Sequence, residues 1–201
     1  MRLADYFARI GYAGPVTPTH DVLEGLLRAH ALHVPFENLD VQLDRPTTID
    51  CEAAFDKIVN RRRGGWCYAL NGLFGWALSR IDFEVTRIAA AVMRAERGPD
   101  AEFNHLTLLV RAVDSNEQWL ADAGFGGSMI APIPLRESTH DQHPFHLGLR
   151  QFDTGRWQFR ENAGDGEFSF DFTAEPVPAR RSGSCEALAM HRTAPRGMAA
   201  Q

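Results

Sequence analysis

Cysteine is scarce in this 201-residue chain, with three residues, and lysine almost absent, Lys57 being the only one among 21 basic side chains. Three cysteines are too few for a disulfide framework, so a conspicuous one is better read as chemical than as a staple. No apolar run reaches the roughly 18 residues that a membrane span needs, and Met1 to Arg9 lacks a basic-then-apolar leader. The expectation is a soluble, cytoplasmic protein with no membrane partner. There is no long basic run either, and the net charge is −5, which makes nucleic acid an unsuitable main partner and small molecules the better one. The arginine-for-lysine skew suggests a GC-rich bacterial source. With 44% hydrophobic and 23% charged residues the composition is that of a globular chain able to bury a core.

Residues 1–82 read as helical. Leu3 to Ile10 is short and amphipathic. Thr19 is placed to cap a helix whose apolar positions are Val22, Leu23, Leu26, Leu27 and Ala29. Asp50 is placed to cap a segment from Cys51 to about Arg62, and a third helix should begin near Cys67, with Leu70, Phe74, Ala77, Leu78 and Ile81 at helical period. From residue 83 to 178 the pattern changes to branched and aromatic runs between polar turns: Phe83 to Val92, His105 to Val110, Gln118 to Ala123, Leu147 to Phe152, Arg156 to Arg160 and Phe168 to Phe172. Strands without intervening helices predict an antiparallel sheet or barrel. Residues 179–201 hold none of the 20 aromatics and carry four arginines against one glutamate, which reads as a loosely attached tail.

The stretch from Arg63 through Gly64-Gly65-Trp66-Cys67-Tyr68 to Asn71 places a thiol just inside the first turn of a helix, behind two glycines that allow a sharp turn. The positive end of the helix dipole and its unpaired N–H groups would stabilise a thiolate and hold an oxyanion. The other reading of Cys67 is a buried structural cysteine. A nucleophilic cysteine needs a base, and the base an orienting group. His105 opens a strongly apolar strand, where it is either that base or an edge histidine satisfied by solvent. Asp122 ends a strand before Gly124-Phe125-Gly126-Gly127, either to fix an imidazole tautomer or to form a turn.

Four segments in this order, Pro35-Phe36-Glu37-Asn38-Leu39-Asp40, Arg63 to Asn71, Phe103-Asn104-His105-Leu106 and Asp122 to Gly127, resemble the arylamine N-acetyltransferase family, from residue 1 to about Pro178. The resemblance implies an α+β fold, a helical bundle followed by an antiparallel β-barrel, with a papain-like Cys67–His105–Asp122 triad between them. It implies ping-pong acetyl transfer from acetyl-CoA, a substrate and not a tightly bound cofactor, to an arylamine, arylhydrazine or hydrazide. Phe125 would line the acceptor pocket, or else simply pack in the core; Trp66 and Phe36 are further candidate substrate contacts. Gly124, Gly126, Gly127 and Ser128 would form a nest of N–H groups for CoA, or only a turn. Arg63, Glu37 and Asn71 would support the nucleophile loop, the first two as an ion pair.

Family members usually continue through a third domain that closes over the cleft. Its apparent replacement by residues 179–201 leads to the expectation of weakened transfer, relatively more hydrolysis, and a possible homodimer through the exposed face. The competing readings are a cysteine-dependent acyl hydrolase or amide synthase, and an inactive remnant. His140, His143 and His146 have a spacing that invites a metal, but a mobile loop is the preferred reading, and no metal is expected. Cys51 reads as packing, Cys185 lies in the tail, and Asp114 and Asp153 read as turn residues.

Overall fold

The computed structural model describes residues 1–126, 128–163 and 166–174. Gly127, Cys185 and the whole of 179–201 lie outside the described residues. Helices α1 (Leu3–Ile10) and α2 (His20–His33) come first, followed by the single turn α3 (Leu39–Gln42), then α4 (Cys51–Phe55) and α5 (Cys67–Ser79). The segment expected to run helically to Arg62 is α-helical only as far as Phe55 and continues as a π-helix over Asp56–Asn60. Its start follows the sequence: Asp50 Oδ1 accepts the Ala53 N–H at 2.8 Å. Thr19 does stand at the N-cap of α2, yet its hydroxyl makes no capping bond. Asp114, from the loop between two strands, accepts the His20 N–H at 3.0 Å instead, so the cap is tertiary.

Eight antiparallel strands follow: β1 (Glu84–Val92), β2 (His105–Arg111), β3 (Gln118–Ala121), β4 (Ile133–Pro134), β5 (Ser138–Gln142), β6 (Phe145–Asp153), β7 (Arg156–Ala163) and β8 (Gly166–Thr173). A short helix, α6 (Arg94–Arg97), and a 3-10 turn lie between β1 and β2. The strand order β4-β3-β2-β1-β8-β7-β6-β5 makes one sheet, curled nearly into a barrel. Its two edges approach one another: Gln142 on β5 accepts the N–H groups of Ile130 and Ala131 (2.7 and 3.0 Å) just ahead of β4. This removes much of the open edge that a flat sheet would expose. The histidine segment expected to be a mobile loop is a hairpin, with His140 on β5, His146 on β6 and the His143–Pro144 peptide between them. Alternation of polar residues along Ser138–Gln142 hid that strand, since only Gln142 of its five residues is buried.

Helices and sheet share one hydrophobic core. It runs from Tyr6, Ile10 and Leu23 through Leu70, Leu73, Phe74 and Leu78 of α5 to Leu108, Leu120, Ile133, Phe159 and Phe170 inside the barrel. Because α5 is apolar nearly all round, it is buried between α4 on one side and β1 and β2 on the other. The loop before Cys67 and the first residue of β2 are thereby held against one rigid body.

His30 is fully buried and hydrogen-bonds Tyr6 through Nδ1 at 2.7 Å. Burial, assisted by the charge of Arg9, pushes its pKa down to about 3, so the ring is neutral when folded and must not be charged. The unfolded chain takes up that proton below about 6.5. This part of the stability is therefore present above pH 6.5 and is lost as pH falls from there toward 3, at up to about 1.4 kcal/mol per pH unit. Urea unfolding between pH 7 and pH 4 should show a shallower decline for His30→Gln than for the wild type; identical slopes would refute this assignment.

Candidate functional site

The loop preceding α5 is shaped by two close approaches. Gly65 N–H donates to Pro35 O (3.3 Å) and Glu37 N–H to Gly65 O (2.8 Å), so Pro35–Glu37 and Gly64–Gly65 pair as a two-residue ribbon. A Cβ at Gly64 would collide with the Pro35 carbonyl oxygen and lie 2.9 Å from Glu37 Cβ, which is why glycine is needed there. Outside the ribbon, Arg63 Nη2 donates to Glu37 Oε1 (2.8 Å) and Asp40 Oδ1 (3.3 Å), and Lys57 Nζ lies 2.6 Å from Asp40 Oδ2 and 3.2 Å from Glu37 Oε2. The lysine's hydrogen bond and the two cations hold the Asp40 carboxyl below the usual carboxylate range. Arg9, 7% exposed, donates to Ile58 O, His33 O and Arg63 O, joining the π-helix, the end of α2 and the loop before Cys67. Sequence reasoning paired Arg63 with Glu37 but missed Arg9, Lys57 and Asp40; the signal within reach was that Lys57 is the chain's sole lysine.

Cys67 is the first residue of α5, and its thiol points to Asn104 O at 3.8 Å. Asn104 is fixed by its own amide, which accepts the Val92 N–H (2.7 Å) and donates to Val92 O (3.1 Å), as a strand neighbour would. Tyr68 donates its hydroxyl hydrogen to Phe103 O, clamping α5 to the residue ahead of Asn104, and Phe103 itself sits at φ 60°. Next along the chain His105 begins β2, 2% exposed, with Nε2 2.6 Å from Asp122 Oδ2. With Nε2 engaged by the carboxylate, Nδ1 is the ring nitrogen left to face Cys67.

Asp122 is embedded in donors. Its Oδ1 accepts from Asn71 Nδ2 (2.8 Å) and from the Gly124 N–H (2.8 Å). Asn71 is 0% exposed and fully used: Nδ2 also donates to Leu106 O (2.5 Å), and Oδ1 accepts the Ala123 N–H (2.8 Å). Burial alone would raise the Asp122 pKa, but His105, Asn71 and the Gly124 N–H outweigh it and hold it below the usual value. Burial likewise opposes charge on His105, and is outweighed by Asp122 and by the hydrogen bond and charge of Cys67, so the ring's pKa is pushed up to about 10. The stability supplied by this imidazolium is present below about pH 6.5 and is lost as pH rises through about 10. The arrangement can hold a thiolate beside an imidazolium, oriented from behind by a carboxylate.

The residues around it divide. A Cβ on Gly124 would lie 2.7 Å from Asn71 Nδ2 and 2.8 Å from Cys67 Cα, so this glycine lets the turn press on the start of α5. Its N–H is already given to Asp122 and is not a free donor for a nest. Gly126, at φ 77°, makes the turn, while the Ser128 side chain is buried and directed inward. Phe125 is half-buried: its ring lies edge-on to His105 (5.4 Å) and against Phe159 and Phe170 (5.7 and 5.1 Å). It therefore packs against the core, as the packing reading expected, and also borders the imidazole. Trp66 is half-buried against Tyr68, with ring centroids 4.9 Å apart, and Phe36 is 40% exposed. No group of three or more histidine, cysteine, aspartate or glutamate side chains able to hold a metal occurs among the described residues, and no helix among them is long and apolar enough to cross a membrane.

The profile of the N-acetyltransferase family matches residues 19–197. The chain belongs to that family. The match passes the point near Pro178 where the sequence resemblance was expected to stop. Within the family, the chain is 37% identical over 188 residues to an arylamine N-acetyltransferase of Mycolicibacterium smegmatis, covering 89% of this chain and 66% of that protein. It is 40% identical over 161 residues to the arylamine N-acetyltransferase / N-hydroxyarylamine O-acetyltransferase of Salmonella typhimurium, covering 78% and 56%. Among solved structures, the M. smegmatis arylamine N-acetyltransferase superposes with a TM-score of 0.80 at 35% identity, over 89% of this chain and 67% of that one. The Mycobacterium marinum arylamine N-acetyltransferase in complex with CoA gives 0.79 at 32%, over 88% and 67%. The chain thus spans between about half and two thirds of the length of the curated relatives it matches.

Proposed function

We propose that this protein transfers an acetyl group from acetyl-CoA to an arylamine, arylhydrazine or hydrazide through an acetyl-cysteine at Cys67. The observation that carries the reading is the His105 Nε2–Asp122 Oδ2 contact of 2.6 Å, together with Cys67, the first residue of α5, whose thiol lies 3.8 Å from Asn104 O, next to His105 in the chain. It is supported by the names of the family relatives and by the CoA complex of the M. marinum neighbour.

In the first half-reaction the Cys67 thiolate attacks the thioester carbonyl, and the N–H groups of the first turn of α5 stabilise the developing oxyanion. The C–S bond to CoA breaks, and the His105 imidazolium gives its proton to the departing sulfur. In the second, the neutral nitrogen of the acceptor attacks the acetyl-cysteine. His105 Nδ1 takes a proton from that nitrogen, and Cys67 leaves as a thiolate, restoring the starting ion pair. Asp122 stays ionised throughout, keeping the ring in the required tautomer and stabilising its charged form. Weakly basic aryl nitrogens suit the second step because they are unprotonated near neutral pH. The half-buried Phe125, beside the imidazole, offers an edge against which an aromatic acceptor can pack.

Intact-protein mass spectrometry after incubation with acetyl-CoA tests this directly. One added acetyl group, absent in Cys67→Ala and discharged by an arylhydrazine with formation of the acetylhydrazide, is the expected result. A folded protein whose Cys67 alkylates with iodoacetamide yet takes up no acetyl group would overturn the reading; discharge by water alone, unaffected by amine, would replace it with an acyl hydrolase.

A further inference from the structure

The β1–β2 ladder runs from Glu84–Arg111 to Ala90–His105 and stops there, although its register would next bring Phe103 opposite Val92. The Asn104 side chain takes those bonding places instead: Oδ1 accepts the Val92 N–H at 2.7 Å and Nδ2 donates to Val92 O at 3.1 Å. The Phe103 backbone is thereby released from the strand and turns out at φ 60°, a left-handed conformation that a phenylalanine adopts only where its surroundings impose it. Its ring does not impose it, being 60% exposed.

The start of α5 holds this backbone. The Tyr68 hydroxyl donates to Phe103 O, and the Cys67 thiol is directed at Asn104 O, 3.8 Å away. Consecutive carbonyls thus face consecutive side chains of the helix. Tyr68 is 6% exposed; burial first, and then the charge of Cys67, raise its pKa and keep the hydroxyl a donor. A further restraint, the pair Arg94 Nη1–Glu102 Oε1 at 2.5 Å, is partly exposed and adds little. The Asn104 carbonyl lies in the same rigid peptide plane as the His105 nitrogen, so whatever fixes that carbonyl also fixes where His105 begins.

We propose that Tyr68 and Asn104 are positioning residues for the Cys67–His105 pair. The Asn104 amide closes the ladder in place of the Phe103 backbone, which frees two carbonyls. Tyr68 then ties the first of them to the helix that carries Cys67. Neither side chain touches the reacting atoms; both act through the peptide that leads into His105. The inference rests on the reading that Cys67 and His105 act together, but not on the identity of the acyl donor.

The test is iodoacetamide labelling of the full chain at pH 7, resolved by peptide, beside the single-turnover rate of acetyl uptake from acetyl-CoA. Labelling of the buried Cys51 reports opening of the core. Tyr68→Phe keeps the ring against Trp66 and removes only the hydroxyl. It should slow Cys67 labelling roughly 10-fold, because the thiolate is the species alkylated and the imidazolium is no longer held opposite it. Asn104→Ala should slow it at least as much, and acetyl uptake should fall by roughly 10- to 100-fold in either variant. The double variant should match the slower single within about twofold, since both changes loosen the same two residues. Variants that melt at lower temperature while Cys67 labels at the wild-type rate would show a merely structural role and overturn the proposal, as would fully multiplicative effects in the double variant. If Asn104→Ala does not fold, seen as Cys51 labelling alongside Cys67, the Cys67 rate of Tyr68→Phe decides alone. Failure of the acetyltransferase reading would show separately, as a wild-type protein that takes up no acetyl group while its Cys67 labelling still responds to Tyr68→Phe.

Discussion

Replacing Cys67 with alanine is expected to lower kcat/KM for arylamine acetylation by roughly 10^4-fold or more, the scale for removing a covalent nucleophile. The fold should survive. Cys67 belongs to a small cluster with Ile49, Tyr68 and Leu106, and trading its sulfur for hydrogen leaves a cavity smaller than a methyl-rich side chain would. The change has a second signature. Cys67 contributes a hydrogen bond and a charge to the raised pKa of His105, so the ring of the variant should lose its proton at lower pH than in the wild type. Steady-state kinetics and thermal unfolding check the first part, and a histidine titration checks the second. Retention of more than about a hundredth of the activity would place the nucleophile elsewhere. Cys51 is then the cysteine to examine, although its thiol is directed at Gly72 O at 3.8 Å and buried within the helical core.

Asp122→Asn should cost activity by roughly 10^3- to 10^4-fold, with little change in shape. The reason lies in the donors around the carboxylate. Oδ1 accepts from Asn71 Nδ2 and the Gly124 N–H, both of which can only donate, so an asparagine must turn its oxygen toward them. Its amide hydrogens then face His105 Nε2, which has to accept. The ring proton moves to Nδ1, where it blocks the nitrogen that takes the proton from Cys67 or from the acceptor. The lost ion pair also removes the chief support of the imidazolium, and His105 should titrate well below the value of about 10 that it has in the wild type. Kinetics read with the same titration separate the tautomer effect from simple unfolding. A variant with near-wild-type kcat would mean that Asp122 is a turn residue and nothing more.

Much of the site could be read from local pattern. Asp50 capping α4, the apolar period of α5 and the run ending at Val92 are all encoded within a dozen neighbouring residues, and each element begins within a residue of where that pattern placed it, although α4 gives way to a π-helix at Asp56. The strand Ser138–Gln142 was not legible because polar residues occupy positions that face solvent, and only its pairing with β6 makes it a strand. The cap of α2 was misplaced for a related reason: Thr19 stands where a capping hydroxyl belongs, but Asp114, 94 residues from His20, reaches the N–H instead. Arg9 was invisible as a site residue. An arginine on an amphipathic helix ordinarily faces water, and this one is drawn inward by three carbonyl groups from distant segments.

By itself the sequence determined that a thiol follows a Gly-Gly turn into the first turn of a helix, that a histidine opens an apolar strand, and that an aspartate closes the next one. These are statements about neighbours along the chain, where backbone conformation and hydrophobic period are set. The tertiary structure alone decided that Nε2 and not Nδ1 meets Asp122, and that Asn71 ties three places together, donating to Asp122 Oδ1 and to Leu106 O on β2 and accepting the Ala123 N–H. Those facts depend on side chains that are 17 to 52 positions apart in the bonded cases, brought together by packing of α5 on β2 and by strand register. A hydrogen-bond partner at such separation leaves no period in the sequence, because it is chosen by where two elements meet and not by what either one contains.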